Sequence, residues 1–274
     1  MSSITRFLPK NHLSYLVGKL VHIRWPRFIN KPLMAWFART YQINLAEAEL
    51  PLESYPSLGD FFVRRLKAGL RPIAESWAVH PADSFVTQTA VITEGQLIQA
   101  KGKTYSVLHF TQDSEAMTKW DQGLFITYYL CPTDYHRVHS PVSGIIERVL
   151  YIPGALWPVN NWSTENIHEL FSINERVLVE IKTDRGLVGV MFVGATNVGQ
   201  IVLSFDSEIR GNQLLSTAVL EKKYTNLKIE KGDELGMFRM GSTVVMLYSK
   251  STVNEAMLKK TFVNQRVRVN EALA

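Results

Sequence analysis

The sequence contains one cysteine, Cys131, among its 274 residues. A single cysteine excludes an intrachain disulfide and a metal site built from several thiolates, and it is compatible with a reducing compartment. Low-complexity linkers and strict repeats are also missing. Since 46% of the residues are hydrophobic and 20% are charged, the composition predicts a folded protein with a sizeable core.

Long apolar runs are missing too, because no uncharged stretch approaches the ~20 residues of a membrane-spanning helix. The stretch 13–23 is interrupted by Lys19 and has no clear small-residue cleavage site, so it does not predict a signal peptide. Acidic residues are absent from the first forty positions, which carry seven basic ones, whereas the remainder holds 23 basic and 25 acidic residues. This asymmetry predicts an anionic partner, either nucleic acid or a membrane surface.

Apolar side chains at helical spacing favour the membrane surface over nucleic acid. Two stripes lie in the basic segment, the first formed by Leu13, Leu16, Val17 and Leu20 and the second by Leu33, Trp36, Phe37 and Tyr41. Basic helices with such faces are typical of segments that lie on anionic lipid, where each basic residue contributes roughly 1 kcal/mol. The alternative is a pair of amphipathic helices packed on the body of the protein. Residues 1–70 are predicted to form an N-terminal helical, membrane-associating segment of a peripheral protein.

Strand patterns dominate residues 71–274, which are predicted to form a β-rich domain. The runs 177–181 and 187–193 are rich in β-branched residues and are joined by a polar turn ending in Gly186, which indicates a hairpin. Turns at 140–144 and 231–236 resemble those of barrel-sandwich hybrid domains. Before this region, Ser57 and Asp60 have the spacing of a helix capping box, with an apolar face that continues to Leu66. The predicted fold class is α+β, with a mainly antiparallel β body of barrel-sandwich-hybrid-like character.

The tripeptide Gly241-Ser242-Thr243 follows a glycine-punctuated stretch late in the chain. A serine hydroxyl can attack the carbonyl carbon of the preceding residue, and glycine leaves that carbonyl unhindered. The resulting ester can break by β-elimination, and the dehydroalanine then loses ammonia to leave a pyruvoyl group, whose ketone can condense with a primary amine. An ordinary turn would contain the same residues, so the tripeptide alone does not decide between the two.

Such a serine needs a base, and histidine is suited to this role because its pKa is ordinarily about 6.5. His136 and His139 are three residues apart. This spacing also permits a metal site, although the chain has no His-Glu-x-x-His motif, and it equally permits two ordinary core or surface histidines.

Longer motifs bear on these alternatives for Ser242 and for the two histidines. Residues 129–141 read YLCPTDYHRVHSP, and residues 80–83 read HPAD. Both stretches resemble motifs of the phosphatidylserine decarboxylase family. Further similar stretches follow in the family's order, at residues 99–106, 174–177, 193–199 and 236–243. The resemblance covers residues 61–248, and the membrane-associated bacterial members are the most similar type.

The resemblance implies a role for each candidate residue. Asp83, His139 and Ser242 are similar to the charge-relay triad that drives self-cleavage between Gly241 and Ser242. Ser242 would become the pyruvoyl group, which is the covalent cofactor, and no metal is implied. His136 is similar to the histidine assigned to the decarboxylation step, as a proton donor to the substrate carbon.

The implied reaction is the conversion of phosphatidylserine to phosphatidylethanolamine. The pyruvoyl ketone would form a Schiff base with the lipid amine, after which CO2 is released. The enzyme would act as a peripheral protein on the cytoplasmic side of the cell membrane. The large and small chains of the precursor are expected to remain associated, a homodimer is the analogy from the family, and nucleic acid is not an expected partner.

Two other classes of function remain open from the residues alone. A serine hydrolase could use the same three side chains, although Ser242 lacks the Gly-x-Ser-x-Gly pattern. A carrier or binding module would fit the hybrid-type turns, but the turn at Lys231 lacks flanking methionines.

Overall fold

The computed structural model describes residues 10–100, 103–196, 200–211, 217–239, 243–259 and 262–273. Helices are concentrated before the first strand, and short ones recur between later strands. The α-helices are α1 (Lys10–Val21), α2 (Arg27–Thr40), α3 (Leu58–Phe62), α4 (Val107–Thr111), α5 (Ala116–Trp120), α6 (Asn161–Asn166), α7 (Leu170–Ile173) and α8 (Glu255–Lys259).

The strands are β1 (Ser84–Val91), β2 (Gln96–Ala100), β3 (Lys103–Ser106), β4 (Leu124–Tyr129), β5 (Arg137–His139), β6 (Gly144–Ile152), β7 (Arg176–Lys182), β8 (Leu187–Val193), β9 (Ile201–Leu203), β10 (Leu220–Ile229), β11 (Glu234–Phe238), β12 (Thr243–Tyr248) and β13 (Arg266–Val267). Eight of them form one sheet in the order β10-β6-β7-β8-β12-β4-β1-β13, and β5-β11-β9 and β2-β3 form two smaller sheets. All pairings between these strands are antiparallel. The fold class is therefore α+β with a mainly antiparallel body, as predicted.

Strand β12 lies in the middle of the large sheet and is buried along its whole length. Its residues pair with β4 on one side and β8 on the other, and Thr243 lies between Tyr129 and Val193. A strand buried on both faces reads as a continuous apolar run, which is why residues 243–248 contain no charge. The chain directly after the predicted cleavage site is thus held by hydrogen bonds from two neighbouring strands.

The predicted hairpin is confirmed by β7 and β8, which pair from Arg176↔Val193 to Lys182↔Leu187. Thr183 closes the turn, since its hydroxyl accepts hydrogen bonds from the backbone N–H groups of Arg185 and Gly186. Gly186 adopts a positive φ of 144°, a conformation that favours glycine.

The small sheet β5-β11-β9 carries His139 of the 129–141 motif, and His136 directly precedes its strand β5. β5 ends at His139, and β11 pairs with it through Glu234↔His139 and Met237↔Arg137. Arg137 strengthens this pairing because its guanidinium donates to both carboxylate oxygens of Glu234 at 2.8 Å. β11 then leads towards β12, so residues 239–242 connect the small sheet to the centre of the large one.

Helices α2 and α3 pack on each other through an apolar cluster that is separate from the main core of the strands. Its buried residues include Met34, Phe37, Phe61 and Phe62. The N-cap half of the predicted capping box is present, because the Ser57 hydroxyl accepts from the Asp60 N–H at 3.1 Å. The Asp60 carboxylate accepts from the Ser57 hydroxyl at 2.7 Å, in place of the Ser57 backbone N–H of a full capping box. The apolar face ends earlier than predicted. Leu66 lies outside α3 and forms a bridge with Ala48, because the chain turns at Val63 and runs beside residues 47–49.

Within the described residues, none of the helices combines the length and apolar character that crossing a bilayer requires.

The N-cap serine gives a first testable prediction. Ser57→Ala removes the acceptor of the Asp60 N–H and should lower the free energy of unfolding by about 1 kcal/mol. Urea titration followed by circular dichroism measures this change. The matched control is Ser54→Ala, which removes an exposed hydroxyl three residues earlier and should change stability by less than ~0.5 kcal/mol. Equal effects of the two substitutions would contradict the capping role.

Candidate active site

A tight turn sets the orientation of the two histidines. After β4 ends at Tyr129, the Asp134 carboxylate accepts a hydrogen bond from the Cys131 N–H at 2.7 Å, and the Asp134 N–H donates to the Cys131 carbonyl at 2.9 Å. Arg266 holds the other carboxylate oxygen at 2.7 Å. Asp134 is therefore bound by the turn and by the C-terminal segment. Burial raises the pKa of its carboxyl group above the ordinary value.

His136 is completely buried directly after this turn. Its Nδ1 lies 2.9 Å from the backbone carbonyl oxygen of Asp134, and since a carbonyl only accepts, Nδ1 carries the proton. Nε2 is then an unprotonated acceptor, and it has no hydrogen-bond partner among the described residues. Burial, and secondly the positive charge of Arg64, lower the pKa of His136 to about 3. The imidazole is neutral at neutral pH and presents a free lone pair.

His139 has the same tautomer but a different partner on its second nitrogen. Its Nδ1 donates to the Gly232 carbonyl at 2.7 Å, and its Nε2 accepts from the Tyr135 hydroxyl at 3.1 Å. Burial is the main reason that the pKa of His139 lies below its ordinary value. The basic nitrogen of His139 is thus covered by a tyrosine from its own motif.

Asp83 lies near His139 but does not hydrogen-bond to it. Pro81 accepts the His139 N–H at 2.8 Å, which brings the two segments together. The Asp83 carboxylate, however, binds the Arg71 guanidinium at 2.6 Å and 3.0 Å and the Val269 N–H at 2.9 Å. The structure therefore brings Asp83 and His139 onto adjacent segments without the direct contact expected of a charge relay.

The predicted cleavage residues Gly241 and Ser242 lie outside the described residues. The chain on both sides of them is described. Before them, the Phe238 N–H donates to the His136 carbonyl at 3.1 Å. After them, Thr243 is buried between β4 and β8. The segment that contains the predicted cleavage site thus begins beside His136.

A polar pocket of about 320 Å³ opens next to Asp83. Its wall joins the chain after α2, the turn before His136 and the C-terminal segment. Four carboxylates and four arginines line the pocket. These charged residues are Glu47, Arg64, Arg71, Asp83, Asp134, Arg266, Arg268 and Glu271. The pocket can accommodate a small charged group beside the predicted site residues.

Sequence reasoning missed Arg64, Arg71 and Tyr135. Tyr135 lies inside the recognised motif, so its position beside two histidines was the available signal. Arg64 and Arg71 have no such signal, because both lie outside regular helices and strands. Only the tertiary fold brings Arg71 to Asp83 and Arg64 to the turn at Asp134.

Comparison with known proteins identifies a family whose sequences are similar to this chain. The family model for phosphatidylserine decarboxylase matches residues 58–274. The phosphatidylserine decarboxylase proenzyme of Anaeromyxobacter sp. (strain K) is 39% identical over 274 residues, which cover 99% of this chain and 96% of that protein. The proenzyme of Myxococcus xanthus (strain DK1622) is 38% identical over 91% of this chain and 89% of its own length. That of Vibrio cholerae serotype O1 is 39% identical over 90% and 89%, respectively.

The depressed pKa of His136 predicts a pH dependence of stability. The unfolded chain takes up a proton at this histidine below about pH 6.5, whereas the folded chain does so only near pH 3. Its contribution to stability is complete above pH ~6.5 and is lost as the pH falls, at up to about 1.4 kcal/mol per pH unit. His136→Asn keeps a donor for the Asp134 carbonyl but does not titrate. Its free energy of unfolding should fall less steeply with decreasing pH than that of the wild type.

Urea titrations between about pH 7 and pH 5 measure the two slopes. The control is His109→Asn at an exposed histidine, which should leave the wild-type slope in place. A His136→Asn slope equal to that of the wild type would show that His136 takes up its proton at the same pH in the folded and unfolded protein, which would contradict the depressed pKa.

Proposed function

Because the chain belongs to the phosphatidylserine decarboxylase family, it is a carboxy-lyase, and we propose that it converts phosphatidylserine to phosphatidylethanolamine and CO2. The observation that supports this most directly is His136, a fully buried imidazole with a free Nε2 lone pair, whose backbone carbonyl accepts from the Phe238 N–H, four residues before Ser242 along the chain. Burial of a neutral base is what a reaction that moves protons in a site shielded from water requires.

Self-cleavage between Gly241 and Ser242 would supply the cofactor. The relatives are named proenzymes, and the bond in question connects β11 to β12. Strand β12 is paired on both sides, so the small chain would stay in the sheet after cleavage. The two chains should therefore remain associated as one folded protein.

His139 is proposed as the base that takes the Ser242 hydroxyl proton. Its Nδ1 is held by the Gly232 carbonyl, so Nε2 is the nitrogen that can receive the proton, and Tyr135 must release it first. The negative charge of Asp83 favours the protonated form of His139 even without a direct contact. We propose that Asp83 supports the base electrostatically while Arg71 and Val269 fix its carboxylate.

The pyruvoyl group formed from Ser242 would provide a ketone that binds the lipid amine and accepts the electron pair released with CO2. The chain's own residues must handle the protons. A substrate ammonium has to lose a proton before its nitrogen can attack a carbonyl. His136 Nε2 can accept that proton, and the resulting imidazolium can then give it to the substrate carbon. The buried acceptor thus becomes the donor that the decarboxylation step needs.

The Ser242→Ala variant tests the cleavage. It removes the attacking hydroxyl, so the chain should remain one polypeptide and lipid decarboxylation should be abolished. The wild type should give fragments 1–241 and 242–274, the second with a blocked amino end. Mass spectrometry after denaturation measures this, and native mass spectrometry should show both fragments together. Ser251→Ala, an exposed serine in the small chain, is the control and should cleave normally. Active wild-type protein with a single intact chain would refute the proposal.

The N-terminal helices support a peripheral position on the membrane. α1 and α2 expose large apolar side chains beside their basic residues, and the most exposed are Leu16, Leu20, Phe28 and Trp36, at 54%, 48%, 78% and 60%. The opposite face of α2 packs on α3 through Met34 and Phe37. One face of α2 is therefore used for folding and the other is available for anionic lipid. We propose that residues 1–70 dock the enzyme on the cytoplasmic side of the cell membrane, ahead of the β-rich catalytic domain 71–274.

Phe28→Ser and Trp36→Ser test this docking. Each removes an aromatic side chain that would be buried in lipid, so each should weaken vesicle binding by about tenfold or more. Sedimentation with phosphatidylcholine vesicles, with and without phosphatidylglycerol, measures binding and its dependence on anionic lipid. Leu258→Ser on α8 is the matched control, because Leu258 is 52% exposed but lies far along the chain. Unchanged binding of both aromatic variants would place the membrane contact elsewhere.

We also propose that the β-rich body has barrel-sandwich-hybrid-like character, as its turns at 140–144 and 231–236 indicate. The two turns that carry it are hydrogen-bonded to each other, since the Ser140 N–H donates to the Asp233 carbonyl and the Gly232 N–H donates to that of Ser140. A carbonyl of this paired turn, that of Gly232, is the partner of His139.

A further inference from the structure

Arg64 is a buried cation whose hydrogen bonds within the described residues go to backbone carbonyls and not to a carboxylate, although Glu47, Asp83 and Asp134 line the same pocket. Its side chain follows α3 and only 4% of the residue is exposed. Nη2 donates to the backbone carbonyls of Thr133 and Asp134, at 3.0 Å and 3.4 Å, whereas Nε and Nη1 have no partner among the described residues. Burial lowers the pKa of this guanidinium. The guanidinium also lies over the Phe61 ring, 5.5 Å from its centroid. Since none of these contacts neutralises the charge, and burial of an unpaired charge costs free energy, the position of Arg64 calls for another explanation.

That position is defined by His136. The Asp134 carbonyl that accepts from Arg64 Nη2 is the same carbonyl that accepts from His136 Nδ1 at 2.9 Å. A carbonyl oxygen has two lone pairs, so both donors can be bound at once. The guanidinium and the imidazole are thus fixed relative to each other through one atom.

Two further contacts bind the same short segments together. The Phe62 ring lies against the His136 ring, with 4.0 Å between the centroids. The Arg137 Nε donates to the Val63 carbonyl at 2.9 Å. Residues 62–64 and 134–137 therefore contact each other at three consecutive positions. The wall behind His136 is built by the end of α3.

Arg64 is also the charge that His136 faces. Among the described residues, Arg64 is the charged group that acts on the imidazole, and α3 contributes the uncharged Phe62 ring against it. The Asp134 carboxylate is directed to Cys131 and Arg266, and that of Asp83 to Arg71. A cation next to a buried imidazole opposes its protonation, so Nε2 keeps its lone pair.

We propose that Arg64 is the positioning residue of His136, which holds the imidazole in the Nδ1–H tautomer and keeps Nε2 a free proton acceptor until substrate binds. The proposal rests on the role given to His136 above. In that role the acceptor must be neutral when the lipid ammonium arrives. It must become charged only after it has taken the substrate proton. Arg64 makes the charged form short-lived, which favours transfer of the proton onward to carbon.

The test replaces Arg64 in the processed enzyme and reads His136 directly. Long-range 1H–15N spectra of 15N-histidine-labelled protein report the tautomer and the titration of each imidazole, and His136→Asn assigns the signal. In the wild type, His136 should remain the neutral Nδ1–H tautomer down to the lowest pH at which the protein is folded. In Arg64→Met the pKa of His136 should rise by about one unit or more, because the neighbouring charge is gone. The acid limb of kcat/KM against pH should shift upward by the same amount.

Two variants and a control separate charge from packing. Arg64→Gln is neutral but polar, and it should shift His136 in the same direction if the methionine variant does not fold. Arg64→Lys keeps the charge and should leave His136 untitrated. Arg65→Met removes the neighbouring arginine, whose side chain is 61% exposed, and should change neither the spectra nor the pH profile.

An arginine that only supports the fold would give a different result. Folded Met and Gln variants in which His136 keeps its wild-type tautomer and titration would overturn the proposal. Loss of stability in them would not rescue it. The spectra do not depend on lipid turnover. A protein that failed to decarboxylate phosphatidylserine but showed the His136 shift would therefore refute the proposed function and leave the Arg64–His136 coupling in place.

Discussion

Burial holds two imidazoles neutral inside the protein while backbone carbonyls fix their tautomer, and the arrangement of the site depends on this constraint. Asp134 and Gly232 each offer a carbonyl oxygen to an Nδ1, which leaves both Nε2 atoms as acceptors. Carboxylates in those places would have favoured the charged form of the histidines. The carbonyl partners add no negative charge, and burial keeps both bases unprotonated at neutral pH, as proton transfer from a serine hydroxyl or a lipid ammonium requires.

The carbonyls are themselves positioned by the meeting of three parts of the chain. The turn before His136 is bound by Arg266 from the C-terminal segment and by Arg64 from the end of α3. The turn at Gly232 is paired with Ser140. Because the Arg64 segment belongs to the apolar cluster of α2 and α3, the helices proposed to contact lipid are continuous with the wall of the site. The proposed membrane docking and the geometry of the site therefore both depend on the apolar cluster between α2 and α3.

Much of the fold could be predicted from local pattern. The hairpin of β7 and β8, the buried strand β12 and the Ser57 cap follow from β-branched runs, a charge-free stretch and a spacing of three residues. The end of α3 could not be predicted, because Leu66 is drawn out of the helix by its bridge to Ala48. The direct Asp83–His139 contact implied by the family resemblance is not present. The ion pair between Arg71 and Asp83 could not be predicted either, because no sequence pattern connects these two residues.

The sequence by itself determined the family, the order of the motifs and the identity of the histidines, because these are properties of residues within a few positions of one another. It also determined that the seven basic residues of the first forty positions have no acidic residue among those positions. Only the tertiary structure decided the protonation states of His136 and His139 and the partners of Asp83. Burial and charge at a side chain are set by residues brought from distant positions, here Arg64, Arg71 and Gly232, and the spacing of residues along a chain does not contain that information.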